Sequence, residues 1–592
     1  MNTPLKLSPL CLGILLATGA GQASAASFEL MDGEVSGSIN TTLSAGISVS
    51  TQDPKKNLYT YGESKGLDDI TPGKGTGANA DNGRLNYRKG DVISNQYKGI
   101  TDLSLEYKNV GFKGSVKYWY DHSLETKSGR YTEFDDTGFD DLAAFSGVEL
   151  LDAYAWTYFD IGEVPVDVRL GKQVVSWGEG LFIQGGINVV NPVDAAAFNR
   201  PGVELKEGLL PVEMLYSSIG LTPEVTLEGY YQFNWRPTVL DGCDTFFATT
   251  DGIQPGCGPL YTQADKSNSE EEFIVPGGAR SILERNADDT PDDSGQWGIS
   301  LKYYAEQLNG TEFGLYAINY HSRLPYVSAV NANLAAPGTF PILGVGLVQG
   351  ATYNAAFPED IKLYGLSFNT SLDSGWSVSG ELSFRPDMPL QININDLLGT
   401  AVQGGENPRD PSGYGQSVQG FVNKPVTQVQ LVAINTFPQV LGASELALAG
   451  EVGFIHVGDL NDGNRYGRSA MFGPGEGSCK PNANVTNEFC TNEGFTTSNS
   501  WGYRLNATLT YSSVLPGVTL KPSLSFRHDV DGYAYDPGAQ FLEGQMASTL
   551  GVKAIYQDNY TANIGYTGFF GNNKYSTLDD RDFLSLSVSA SF

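Results

Sequence analysis

The sequence predicts an all-β chain closed into a transmembrane antiparallel β-barrel of about eighteen strands, with sixteen as the other even count. Three observations carry this. Residues Asp582–Phe592 alternate strictly: Leu584, Leu586, Val588, Ala590 and Phe592 share one face, and Phe583, Ser585, Ser587, Ser589 and Ser591 the other. Short and long connections alternate along the chain. After an N-terminal leader, no apolar run is long enough for a membrane-spanning helix. A bare strand such as Asp582–Phe592 would be an aggregation hazard in water. It makes sense paired with the first strand, its apolar face in lipid and its serines toward a wet lumen. The terminal Phe592 resembles the signal by which the outer-membrane assembly machinery recognises its clients.

The leader comes first. Lys6 precedes an apolar run from Leu7 to Ala20, and Ala23-Ser24-Ala25 forms a cleavage motif. Residues 1–25 therefore read as a secretory signal, and 26–592 as a single outer-membrane barrel domain. The first strand is Val35–Thr51. After a polar stretch come Thr101–Tyr107, a tight turn at Lys108–Gly111, and Phe112–His122. An acidic loop leads to Val148–Phe159 and, after a short turn, Pro165–Val175. Further tight turns are expected near Thr222–Glu224, Leu308–Thr311, Asp373–Gly375, Gln439–Gly442, Ser513–Gly517 and Asp558–Asn559. Between strand pairs lie longer segments, among them Trp177–Leu210, Pro237–Ser294, Arg385–Val426 and Gly458–Asn499. With both termini periplasmic, every long segment falls outside the cell.

Composition agrees. Gly at 71, Tyr at 31 and Phe at 29 suit many turns and aromatic girdles. The net charge of −30 argues against nucleic acid as a partner. Acids cluster outside the strands, at Asp135, Asp136, Asp140 and Asp141, and at Glu270–Glu272 with Asp288, Asp289, Asp292 and Asp293. They read as solvated loops, or as sites where divalent cations bridge to lipopolysaccharide. In an oxidising compartment, Cys243 with Cys257 and Cys479 with Cys490 read as two local disulfides. Each pair lies in a long segment, in agreement with the topology. No cofactor or metal site is expected.

The third long segment stands out. Asp167–Leu210 contains apolar patches at Leu181-Phe182-Ile183, Val189-Val190 and Ala195–Phe198. A loop bathed in water has no use for these. One that folds back into the barrel and packs on its wall does. Lys172, Glu179, Asn188, Asn191, Asp194, Arg200, Glu204, Lys206 and Glu207 would then line or brace a constriction. Asp194 is placed to cap a short helix through Ala195–Ala197. On the polar strand faces, Lys113, Lys117, Asp167, Arg169, Arg504, Lys521 and Arg527 are lumen candidates. Their basic tilt predicts a weak preference for anions.

The string RLGKQVVSWGEGLFIQGGINVVNPVD, followed by RPGVELKEGLLPVEMLY, resembles a Gram-negative family known as domain of unknown function 1302. DGEVSGSINTTLSAGISVS, LNYRKGDV and ELLDAYAWTYFD resemble it too. The resemblance implies a porin-like outer-membrane protein without an established biochemical role. Such proteins are often encoded beside periplasmic companions and proton-driven envelope exporters. That implies movement of apolar or amphipathic molecules such as lipids, terpenoids or steroids. It implies no catalytic residue.

Two functional classes are carried forward: a passive channel narrowed by the third loop, and a transporter for hydrophobic molecules. A polar ring in the lumen would favour the first, and an apolar cavity the second. An enzyme is disfavoured. His122, His321, His456 and His528 all lie at outer strand ends. Adjacent residues such as Asp121 and His122 point to opposite faces. The sequence does not fix the oligomeric state; a trimer is one arrangement by analogy with porins.

Overall fold

A computed structural model describes residues 26–261, 282–331, 351–403, 415–476, 488–538 and 540–592. The leader therefore lies outside the described residues, as do Glu270–Glu272. Eighteen strands form the barrel among the described residues: β1 (Val35–Ser50), β2 (Val92–Tyr107), β3 (Val110–Asp121), β4 (Ser146–Ile161), β5 (Val164–Gln173), β6 (Val212–Thr222), β7 (Val225–Gln232), β8 (Trp297–Ala305), β9 (Thr311–Tyr320), β10 (Ile361–Ser371), β11 (Ser377–Gln391), β12 (Phe421–Pro438), β13 (Glu445–Val457), β14 (Asn499–Leu515), β15 (Val518–Asp531), β16 (Gln545–Tyr556), β17 (Tyr560–Gly571) and β18 (Phe583–Ser591). Each pairs antiparallel with its sequence neighbours. β18 closes the barrel on β1, from Thr42 opposite Ser591 to Ser50 opposite Phe583. Phe592 extends the seam by exchanging backbone bonds with Thr41, at 2.7 and 2.9 Å. Ala26–Leu30 folds back on the start of β1.

Side-chain alternation sorts the two faces. Leu584, Leu586 and Val588 stay 40–52 % exposed on the outside, while Ser587 is buried within. The same exposed apolar face recurs on β10, β13 and β16, at Leu366, Val452 and Leu550. Large exposed apolar side chains around the whole circumference make sense only against lipid.

Three strands run further than their sequence alternation shows, among them β12, which begins at Phe421 and not after Val426. β2 starts at Val92, and β11 continues past a bulge between Arg385 and Met388 to Gln391. These extensions reach toward the long-loop rim, where outward positions need not be apolar.

The long loops are not a set of solvated strings. Parts of three of them build a small five-stranded sheet from Leu260–Tyr261, Ile282–Arg285, Tyr326–Val330, Thr352–Ala356 and Ser417–Val418. It buries Leu283, Val327, Tyr353 and Leu397 in its own core. A second cluster joins Leu58, Ala80, Met471, Phe472, Phe489 and Tyr575 from three separate loops. Two of the loop acids serve local structure. Asp136 accepts from the Phe145 amide at 2.9 Å, and Asp140 from Leu142 at 3.0 Å. The Cys243–Cys257 disulfide is formed. Cys479, of the second expected pair, lies outside the described residues.

Candidate functional site

The third long loop, residues 174–211, lies across the barrel interior. Its apolar residues give it a seat. Trp177, Ile187 and Val190 pack against the inward faces of Met214, Tyr216, Tyr230, Tyr316 and Leu363, on β6, β7, β9 and β10. Trp177 Nε1 donates to Glu228 at 2.7 Å.

Two carboxylates hold the middle of the loop. Glu381 on β11 accepts from the backbone amides of Glu179, Gly180 at 3.1 Å and Ile187 at 2.8 Å. Glu451 on β13 accepts from Leu181 at 3.2 Å, Phe182, and Ile183 at 2.9 Å. Arg385 returns donors to the carbonyls of Gly185 and Gly186, at 2.6 Å each. Gly186 is required here, since a Cβ would collide with Glu381 Oε1. Buried carboxylates satisfied by several amides are strong, directional anchors.

The return leg crosses to the opposite wall. Glu207 takes an ion pair from Lys117 on β3 at 2.9 Å and another from Lys98 on β2. Lys206 reaches Asp102 at 3.0 Å, and Glu204 lies 3.4 Å from Lys206. Burial alone would raise the Glu207 carboxyl, but Lys117 and Lys98 hold it at about 2. A depressed carboxyl stabilises fully above its unfolded value of 4.5 and loses this progressively as pH falls from there through about 2. The loop should therefore stay docked at mildly acid pH. We expect the hydrogen-exchange protection of the Glu207 amide to be the same at about pH 5.5 and about pH 7, both above the unfolded value. Loss of protection at the acid value would contradict this account of the anchor.

The predicted loop residues divide by role. Asn191 is a staple: it accepts from Val175 at 2.9 Å and donates to Gln173 and Leu210 across the feet of the loop. Asp194 caps the short helix Ala195–Phe198 through Ala197, at 2.9 Å. Asn188 donates to Ser176 at 3.2 Å, and Arg200 to the carbonyl of Ala143 at 3.2 Å. Glu179 accepts from Asn369 on β10 at 3.0 Å. Lys172 pairs with Glu149 at 3.0 Å, beside the foot of the loop. Arg169 pairs with Asp167 at 3.0 Å and stacks on Tyr216.

The opposite wall differs. On this side the loop touches the β15–β16 connection, where Gln184 N donates to Gln540 at 3.4 Å and Ile183 packs with Phe541; among the described residues no hydrogen bond or ion pair joins it to the strands β14–β17 themselves. Inward positions there are Asn506, Thr508, Ser523, Ser525, Thr549 and Thr567, and the cations Arg504, Lys521, Arg527 and Lys553. Arg504 sits directly opposite Arg527, and Lys521 directly opposite Lys553. Arg504 is neutralised by Asp529 at 2.8 Å. Lys521, Arg527 and Lys553 have no ion pair among the described residues, and Arg527 Nε has no hydrogen-bond partner. The lysine and arginine levels are about 20 Å apart along β15 at the usual rise per residue. Like charges facing each other across a ladder cost stability. By contrast, the loop-covered side pairs its charges: Lys302 with Glu228, Lys113 with Asp152, and Lys117 with Glu207.

Sequence reasoning missed Glu381, Glu451, Lys98 and Lys553. The available signal was parity. Glu381, Glu451 and Lys553 are charged residues on the inward face of strands whose other face is apolar, whereas Lys98 lies where β2 does not alternate so cleanly.

A family model described as "Protein of unknown function (DUF1302)" matches residues 6–592. No curated protein matches the chain. Solved structures similar to it include the outer membrane channel DcaP of Acinetobacter baumannii, with 9 % identity over 96 % of this chain and 100 % of that one and a TM-score of 0.34. OccAB1 of Acinetobacter baumannii matches with 9 % identity over 97 % and 98 % and a TM-score of 0.38. OccAB2 of the same organism matches with 8 % identity over 94 % and 98 % and a TM-score of 0.39.

Proposed function

The chain belongs to the DUF1302 family, and on that footing we propose that it is a passive outer-membrane channel whose solutes pass between the third loop and the wall β14–β17. An even-stranded barrel with short turns on one rim belongs in the outer membrane with those turns periplasmic. The observation that carries the reading is the uncovered polar wall with its unpaired cations. Serine, threonine and asparagine hydroxyls and amides exchange hydrogen bonds with a passing solute. Lys521, Lys553 and Arg527 raise the local concentration of anions. The loop, held by Glu381, Glu451 and Glu207, supplies the narrowing. Phe592, at the seam, fits a role as the assembly signal.

The second reading needed an apolar path through the barrel. Tyr216, Tyr230, Tyr316 and Leu363 form an apolar wall, but the loop's own Trp177 and Ile187 occupy it. This favours the channel for small polar solutes.

Reversal potentials across planar bilayers in a salt gradient test the proposal. Anion selectivity is expected, and replacing Lys521, Arg527 and Lys553 together by glutamine should reduce the anion-to-cation ratio by roughly fivefold or more. Cation selectivity of the unaltered protein would defeat the reading.

A further inference from the structure

Not every apolar side chain of the third loop is seated. Trp177, Ile183, Ile187 and Val190 are buried against the wall, whereas Leu181 and Phe182 stay 47 % and 40 % exposed. The loop lies inside the barrel, so their accessible surface opens on the lumen. Apolar surface left in water is stabilised when something apolar covers it. Glu451 fixes the place of both residues, because it accepts from the Leu181 amide at 3.2 Å and from that of Phe182.

An unpaired cation lies on the same row of the wall. Glu451 on β13 is directly opposite Arg504 on β14, and Arg504 is directly opposite Arg527 on β15. Two strand spacings, roughly 10 Å, therefore separate the backbones of Glu451 and Arg527. Phe541 ties this row to the loop: it packs with Ile183, and the Arg504 guanidinium lies over its ring, 5.5 Å from the centre. Arg504 is neutralised by Asp529 at 2.8 Å. Arg527 has no ion pair among the described residues, and its Nε has no hydrogen-bond partner.

The two features ask for different parts of one molecule. A guanidinium takes a carboxylate as a bidentate pair. Glu451 and Asp529, on the same stretch of wall, repel a second negative charge. We propose that the constriction selects a monocarboxylate with a compact apolar body: the carboxylate pairs with Arg527, and the hydrocarbon covers Leu181 and Phe182. This rests on the channel reading and narrows its solutes to one class. An inorganic anion meets Arg527 but covers no apolar surface, and a dicarboxylate brings a charge that the row repels.

The test records single-channel potassium chloride current through the full chain in planar bilayers at about pH 8, where carboxylates are ionised. Cyclohexanecarboxylate is added, with acetate and cyclohexylmethylammonium as comparators. Saturable interruption of the current by cyclohexanecarboxylate is expected, with both comparators roughly tenfold weaker or more. Leu181→Ser with Phe182→Ser keeps the backbone amides that Glu451 holds and should bring cyclohexanecarboxylate down to the acetate value; Phe182→Ser alone should fall between. Arg527→Gln should weaken cyclohexanecarboxylate by roughly tenfold. Migration of the unheated variants as folded barrels on detergent gels separates these effects from misfolding. Equal interruption by cyclohexanecarboxylate and acetate in the unaltered protein, or interruption that survives the double serine change, overturns the inference and leaves the channel reading in place. A protein that passes no current defeats both.

Discussion

Replacing Glu381 and Glu451 together by glutamine is expected to raise the open conductance several-fold and to make the current noisy. Each carboxylate accepts three backbone amides from the third loop. Both are almost fully buried, at 5 % and 1 % exposure. A charged acceptor contributes roughly 1.5–3 kcal/mol per hydrogen bond. Glutamine has the same shape but only one acceptor oxygen, and its amide group would push a donor at donors. At least one buried amide at each site would then have no partner. The loop keeps its feet, through Asn191, and its return leg, through Glu207, so it would swing rather than unfold. Either single change should give a smaller effect, because Glu451 then still holds Ile183, or Glu381 still holds Ile187. The barrel itself has no stake in these bonds, so its resistance to detergent should not change. Loss of exchange protection across residues 179–187 should accompany the rise in conductance. A double variant with unaltered conductance and protection would show that the apolar seat alone fixes the loop.

Much of this architecture was legible because a barrel between lipid and water imposes a period of two on every strand. The closing strand Phe583–Ser591 shows it most plainly, with leucine and valine outside and serine inside. The inward fold of the third loop was legible for a related reason, since Trp177, Ile187 and Val190 are unsuited to water. Legibility failed where the environment stopped alternating. The start of β2, from Val92 to Ile100, lies near the rim, where neither face is dictated by lipid. It also failed where partners are remote in sequence. The bond from the Ile183 amide to Glu451 spans 268 positions, and local pattern carries no trace of it. Charged residues on inward strand faces could have been sorted into paired and unpaired only with the fold in hand. Lys117 and Lys521 look alike in sequence, yet one is neutralised by Glu207 and the other is not. The acidic loops are solvated at Asp135, Asp141, Asp289, Asp292 and Asp293, as composition suggests, while the arginines that meet Asp140 and Asp288 leave no trace in it.

The loop canopy above the barrel depends on one such meeting. Arg84 Nε lies 3.2 Å from Asp580, and their side chains are 1 % and 0 % exposed. Arg581 approaches the same carboxylate at 3.7 Å and stacks on Phe246, with centres 4.6 Å apart. Burial and the neighbouring Arg84 lower the Arg581 guanidinium to about 9. One carboxylate therefore holds two buried cations drawn from loops nearly the whole chain apart. Breaking a buried pair by removing one partner costs about 3–5 kcal/mol, chiefly because the surviving charge is left uncompensated. Asp580→Ala should cost at least that, since two charges survive. The loss falls on the canopy: residues 82–91 and 572–581 should become sensitive to protease, while the barrel stays folded in detergent. Arg581→Met in the Asp580→Ala background removes one of the stranded charges and should restore part of the protection. Rescue of that kind distinguishes charge burial from lost packing, because a second truncation in a packing defect deepens it. If Asp580→Ala leaves the loops as resistant as before, water reaches this pair and the canopy is held by its apolar clusters instead.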